Sequence, residues 1–318
     1  MKIGVYEAHS LTGFISRTPD LNLSHSSTMA DTKEEFYSSL IVNAVLNVIS
    51  SFAAVTLNLL TIHAMRKTSS LPETLKTLLL SLTVSDLGVG LLVQPFYVEE
   101  LLALLLQNDL ASSVRKSMDF IVRLILYASL FSVTALGVDR FLAVHLHLRY
   151  QELVTHKRTV AGVLLIWVFS ALLSVMRIIW VHMGIVVGFI LGFCFVSLTV
   201  ANCRIYFVVV RLTNQIRPLQ VQQVSQDDEK LVNDVKQRKT AVNTSYVLIL
   251  FLFCYLPHYC SFVASVFIRG SNVTLELFLM YTCSLLHLNS SLNPVIYCWK
   301  MRQVRKGIAE ILRNMLLR

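Results

Sequence analysis

Apolar residues in this chain come in long blocks parted by short polar joints, a pattern that suits neither strands nor the half-polar helices of a water-soluble domain. A helix that crosses about 30 Å of hydrocarbon needs roughly 20 apolar residues. Blocks of that length lie at about 38–65, 72–101, 113–146, 158–181, 184–212, 238–267 and 274–299. The fourth and fifth nearly fuse, separated only by Trp180–Gly184, and together they are too long for one tilted helix. A turn at Gly184 is therefore expected. The expected fold is all-α: a seven-transmembrane helix bundle over 38–299, after a polar segment 1–37 and before a short tail 300–318.

Composition agrees. Hydrophobic residues make up 55% of the 318 and charged residues 15%, against about 25% charged in soluble proteins. Twenty of the twenty-eight Lys and Arg fall in the joints that are cytoplasmic if the N-terminus lies outside, so the expectation is N-terminus out and C-terminus in, at the plasma membrane. The net charge of +9 then sits at the membrane edge, where it suits anionic lipid headgroups and not nucleic acid. The first thirty-six residues hold no apolar core of signal-peptide length. Two glycosylation sequons, at Asn22 and Asn272, fall on the expected outside. Six cysteines lie in or beside apolar runs with no CxxC pair, which excludes a disulfide framework and a zinc site.

Against this apolar background the polar residues inside the spans stand out. An ionised Asp86 at mid-bilayer costs about 2.5–3.5 kcal/mol on insertion scales. Asn289 and Asn293 are four apart and share a helix face, while Pro294 removes a helix hydrogen bond beside them. Together with Ser129, these residues offer the oxygen donors that a hard cation selects. Asp139 and Arg140, adjacent at the end of the third span, could by themselves be an ordinary charged helix terminus.

In order along the chain, these residues carry a resemblance. Asp139-Arg140-Phe141 followed by "HLHLRY" looks like the D-R-Y motif and second intracellular loop of rhodopsin-like G-protein-coupled receptors. "LNSSLNPVIY", ending at Tyr297, resembles their N-P-x-x-Y motif, and "SLTVSDL" their second helix. Asn58 and Trp167 match marker residues of helices one and four; "FLFCYLP" matches the helix-six motif with Tyr255 in place of tryptophan. The basic, amphipathic stretch after Lys300 resembles the membrane-lying eighth helix.

The resemblance implies a receptor, with a heterotrimeric G protein and an extracellular ligand as partners and membrane lipids around it. It implies that helix six swings outward about Pro257 and that Arg140 leaves Asp139 to line the opened cavity. Tyr206, Tyr297 and the Asn293-Pro294 turn would support that movement, and Leu148 would fill an apolar pocket on Gα. The same resemblance makes Asp86, Ser129, Asn289 and Asn293 a sodium site; no other cofactor is expected. Four departures accompany it. Arg115 stands where a helix-three cysteine is usual, the second outer loop is almost absent, helix five has no proline, and Gln237 replaces an acidic partner of the arginine. The first three resemble the branch of melanocortin, cannabinoid and lysophospholipid receptors; the fourth predicts signalling without ligand.

The ligand itself is bounded mainly by exclusions. Val122 occupies the place of the aspartate with which amine receptors hold an ammonium, and His287 that of the retinal-binding lysine. Pocket candidates are Glu99, Glu100, Asp119, Arg123, Arg177, Tyr255, His258, Phe262 and His287, with Asp119 and Arg123 spaced to pair with each other. Acidic members would suit a basic peptide and arginines a lipid phosphate. A transporter would show matched repeats with broken helices, and none is found; an enzyme would need a metal cluster or an activated nucleophile, also not found. A non-signalling decoy or partner subunit of the same fold is the remaining alternative.

Overall fold

The computed structural model describes residues 26–68, 71–106, 112–146, 149–180, 183–216, 228–268 and 273–316. Asn22, Leu148 and Asn272 lie outside the described residues, and so does the side chain of Gln237. Seven long helices follow one another: α1 Ser26–Lys67, α2 Glu73–Leu105, α3 Ser112–Leu146, α4 His156–Ile179, α5 Met183–Ile216, α6 Asp228–Phe267 and α7 Val273–Lys300. A shorter α8, Arg302–Leu316, ends the chain, and a single helical turn, Tyr150–Leu153, joins α3 to α4. No strand occurs among the described residues.

Six of the seven long helices are apolar enough by length and composition to cross a membrane; α7 is not. The cause is local. Between Thr282 and Asn293 this helix carries Thr282, Ser284, His287, Asn289, Ser290, Ser291 and Asn293, all buried against neighbouring helices. Its polarity is turned inward, and Ser284, His287 and Asn293 find partners on other helices in place of water.

The whole bundle has that inverted arrangement. Asn58, Asp86, Asn289 and Asn293 are fully buried, whereas Phe189 and Phe193 on α5 are 76% and 74% exposed. A water-soluble core would do the reverse; a lipid-facing surface accounts for it. The chain is a multi-pass membrane protein. Helix α3 occupies the centre, packing against α2, α4, α5 and α6, and α7 closes the ring against α1 and α6.

Local sequence explains the irregularities. Pro95 lacks an N–H, and just before it α2 widens into a π-helical turn over Val89–Val93. Ser51 of α1 donates to the Gly90 carbonyl in that turn at 2.8 Å. Gly90 itself lets α1 and α2 approach: a Cβ there would come within 3.0 Å of both Ala54 and Val55. Thr155 caps α4, accepting from the Arg158 N–H. In α8, Val304 and Ile311 are buried and Gly307 sits over Ala64 of α1, while Arg302, Arg305, Lys306 and Arg313 are exposed.

Three sequence expectations need correcting. The chain breaks between α4 and α5 at Trp180, which is extended, and Gly184 lies inside α5. Its missing side chain serves packing, since the Arg177 guanidinium rests where a Cβ would be, 3.3 Å away. Helix α5 runs past its apolar block to Ile216, and α6 starts at Asp228, ten residues before its own. Helix α1 likewise begins at Ser26, twelve residues before its apolar block. Charged and polar residues do not oppose a helix that continues an already nucleated one.

Candidate functional site

Polar side chains gather at three levels of the bundle. At the first level, the end of α3, Arg140 donates through Nε to Asp139 Oδ2 at 2.9 Å and through Nη2 to the same oxygen. Both residues are buried, 3% and 5% exposed, so their ion pair is shielded from water. Tyr150, in the turn after α3, completes the set: its hydroxyl donates to Asp139 Oδ1 at 2.8 Å and accepts from Arg140 Nη2 at 3.3 Å. Burial pushes the Tyr150 phenol up to about 12, so it keeps its proton and remains a donor to the carboxylate at physiological pH. Thr74 of α2 lies 3.4 Å from the same hydroxyl. Every strong group in this cluster has a partner.

At the second level, Asn293 Nδ2 of α7 donates to Asp86 Oδ2 of α2 at 2.8 Å. Asp86 Oδ1, Ser129 Oγ, both polar ends of Asn289 and Asn293 Oδ1 make no hydrogen bond, though all are buried. Ser290 stands close to the Asp86 carboxylate and Tyr255 close to Ser129, each beyond hydrogen-bond geometry. Asn58 ties α1 to this level through the Ser290 carbonyl at 2.9 Å. Four buried oxygens without protein donors, one of them a carboxylate, fit a hard cation well. Tyr255 stacks on Phe251 of α6, ring centroids 3.8 Å apart.

Between these two levels lies an apolar layer that includes Leu79, Leu82, Leu136, Val247 and Leu248. Tyr297 is fully buried in it, its hydroxyl unpaired. Pro257 and Pro294 interrupt the hydrogen-bond ladders of α6 and α7. Tyr206 is not brought to Arg140: it is 66% exposed on α5, one residue beyond the buried stripe Leu198, Ala201, Ile205.

The third level, at the opposite end from Arg140, holds the ligand candidates. Arg123 and Asp119 pair at 3.3 Å. His258 contacts Thr282 at 3.3 Å, and His287 reaches Asn47 of α1 at 3.1 Å, with Tyr97 edge-on to its ring at 5.0 Å. Phe262 is half-buried near Gly188. Glu99 is exposed, while its neighbour Glu100 is buried.

Four participants, Tyr150, Asn43, Asn47 and Lys300, have no site role in the sequence reading. Tyr150 closes the quoted "HLHLRY" stretch, yet nothing in its spacing shows that it folds back on Asp139. Asn43 and Asn47 join Ser284 through bonds of 2.7 Å and form a polar seam between α1 and α7. Their signal was available, because Asn43, Asn47, Ser50, Asn58 and Thr61 recur at helical spacing along one face of an apolar span. Lys300, at the Arg140 end of α7, places Nζ 3.8 Å above the Tyr246 ring of α6 and 3.6 Å above the Trp299 ring, a cation–π clasp between the two helices.

Comparison with known proteins agrees with this layout. Residues 57–297 match the model of the 7 transmembrane receptor (rhodopsin family). The adenosine receptor A2b of Gallus gallus is 25% identical over 304 residues, covering 86% of this chain and 88% of its own. The adenosine receptor A3 of Canis lupus familiaris is 26% identical over 85% of this chain and 90% of its own length. The histamine H2 receptor of Homo sapiens is 26% identical over 73% and 68%. These relatives lend no support to a place in the melanocortin-like branch. Motifs, buried polar levels and sequence match agree: the chain belongs to the rhodopsin family of seven-transmembrane receptors, which are G-protein-coupled receptors and not enzymes.

Proposed function

We propose that this receptor sits in the plasma membrane with its N-terminus outside and converts ligand binding at the His258–His287 end into G-protein activation at the Arg140 end. The observation that carries this reading is the buried Asp139–Arg140–Tyr150 set, which holds Arg140 beneath the junction of α3 and α6. Outward movement of α6 about Pro257 opens a cavity there. Arg140 then leaves Asp139 and presents its guanidinium to the G protein; Leu148 in the following loop supplies an apolar contact. Tyr297 and the Asn293-Pro294 turn shift inward to fill the space.

The same movement must separate Tyr246 from Lys300, so the clasp between α6 and α7 opposes it. With Gln237 in place of an acidic residue, this clasp and the Tyr150 bonds are the restraints that remain, and basal signalling is expected. Asp86, Ser129, Asn289 and Asn293 would hold a sodium ion, which supplies positive charge to the buried carboxylate and favours the inactive arrangement. Asn22 and Asn272 are the glycosylation sites. Histamine carries an ammonium, and the place of its usual aspartate is Val122 here, so the ligand of the histamine relative is not expected to transfer.

The test is basal G-protein activation, read with sensors for each Gα class, for the native chain and Arg140→Ala at matched surface expression. A signal in one class that disappears in the variant is expected. Equal signals from both chains would remove the signalling reading through Arg140; none in any class would overturn the expected basal activity and leave a tightly ligand-gated receptor or a non-signalling partner.

A further inference from the structure

Where α3, α4 and α5 meet, at the ligand end of the bundle, Arg123 and Arg177 lie near the Asp119 carboxylate, with Arg115 of α3 and Glu100 of α2 also close to it. Asp119, Arg123 and Tyr127 follow at four-residue steps on α3 and share one face. Arg123 Nη2 lies 3.3 Å from Asp119 Oδ2, the side chains being 16% and 24% exposed, so the pair is reachable but largely out of water. Arg177 reaches the same face from α4. Its guanidinium packs over Gly184 of α5, and its charged and phenolic neighbours are Arg123, Tyr127 and Asp119. Three guanidiniums, of Arg115, Arg123 and Arg177, then stand against the two carboxylates of Asp119 and Glu100, a net positive group in a poorly hydrated place, which favours an incoming anion.

Beside it α5 presents Gly188, whose carbonyl accepts from the Tyr259 hydroxyl at 3.1 Å. A Cβ at Gly188 would meet only Phe262, at 3.8 Å. Guanidinium forks match the planar oxygens of carboxylates and the oxygens of phosphates, and two forks facing one space can hold a single anionic headgroup from both sides.

We propose that this junction is the headgroup subsite of the ligand pocket and takes a ligand bearing one carboxylate or phosphate group, clamped between Arg123 and Arg177. This rests on the receptor reading above. Asp119 is the internal competitor: in the empty pocket its carboxylate engages Arg123, and the ligand's anion replaces it. The apolar remainder of the ligand extends past Gly188 toward Phe262.

The experiment uses the full chain in nanodiscs of neutral phosphatidylcholine, with thermal unfolding measured against phenyl phosphate, benzoate and uncharged benzamide. A ligand that binds only the folded state raises the unfolding temperature with concentration. Expected is stabilisation by the two anions and not by benzamide. Arg123→Gln and Arg177→Gln should each shift the concentration dependence by about tenfold or more, the size of a lost charge-assisted hydrogen bond. Asp119→Asn should shift it the other way, toward tighter binding, an outcome that loss of a merely structural ion pair does not produce. If Arg177→Gln does not fold, Arg123→Gln and Asp119→Asn decide. Equal effects of anion and amide, indifference to both glutamine variants, or weaker binding in Asp119→Asn overturns the proposal. A parallel arm compares lysophosphatidate with lysophosphatidylcholine; a larger shift with lysophosphatidate than with phenyl phosphate assigns the headgroup to a lipid, and the reverse to a free anion. Basal G-protein activation of the native chain is read alongside. Signalling without anion binding removes this subsite alone, while anion binding without signalling in any Gα class overturns the expected basal activity and leaves the subsite standing.

Discussion

Two buried polar clusters lie along the axis of this bundle, and they are built on opposite terms. In the Asp139–Arg140–Tyr150 set each carboxylate oxygen accepts from a named donor, and the phenol both gives and receives. In the Asp86–Asn289–Asn293 set a single protein hydrogen bond is made, and several oxygens have no protein donor. A buried group left unpaired costs about 1–3 kcal/mol, more when charged, so the second cluster suits the sodium ion proposed above. The contrast separates a latch from a receptacle. On the proposed reading the first is broken when the receptor acts, and the second holds a cation at rest.

Substitutions at each cluster can break that contrast. The largest effect is expected from Asp139→Asn, which leaves Arg140 without its buried counter-charge at a cost of about 3 kcal/mol. Basal G-protein activation should rise by tenfold or more over the native chain, and an unchanged basal level would mean that the latch does not hold Arg140. Next is Asp86→Asn. Sodium chloride, compared with choline chloride at equal ionic strength, should stabilise the native chain by about 1 kcal/mol, a rise of a few degrees in Tm, and the variant not at all. A sodium effect that survives in the variant would place the cation elsewhere.

Smaller effects sharpen the picture at the Arg140 end. Gln237→Glu should restore a partner for Arg140 and lower basal signalling, by up to about 1 kcal/mol in the equilibrium between states. Lys300→Gln should weaken the α6–α7 clasp by about 0.5–1 kcal/mol, because its aromatic partners are partly exposed, and raise basal signalling a few-fold. If Lys300→Gln lowered basal signalling, the clasp would belong to the active arrangement.

Much of this was legible in the chain itself. Seven apolar blocks gave the helix count, and the spacing of Asn289, Asn293 and Pro294 placed Asp86 in a polar setting before any coordinates. What was not legible depended on how helices rotate and meet. Hydropathy alone passes over α7, because a one-dimensional window counts its polar side chains without seeing that they are buried against neighbouring helices. Tyr150 sits eleven residues from Asp139, and only a reversal of the chain after α3 brings the hydroxyl to the carboxylate. Tyr206 shows how little separates inside from outside: one residue, or about 100° of helix, lies between it and buried Ile205. Gly184 reads as a turn in a list of residues, yet in the bundle it is a gap for Arg177.

The account turns on whether the paired cluster restrains signalling through Arg140. The direct measurement is basal G-protein activation, at matched surface expression, of the native chain, Tyr150→Phe, Arg140→Ala and the double variant. Removing the Tyr150 hydroxyl deletes two buried hydrogen bonds, about 1–2 kcal/mol, so Tyr150→Phe should signal several-fold above native. The double variant should be as silent as Arg140→Ala. A rise in Tyr150→Phe that persists without Arg140, or no rise at all, would contradict the account.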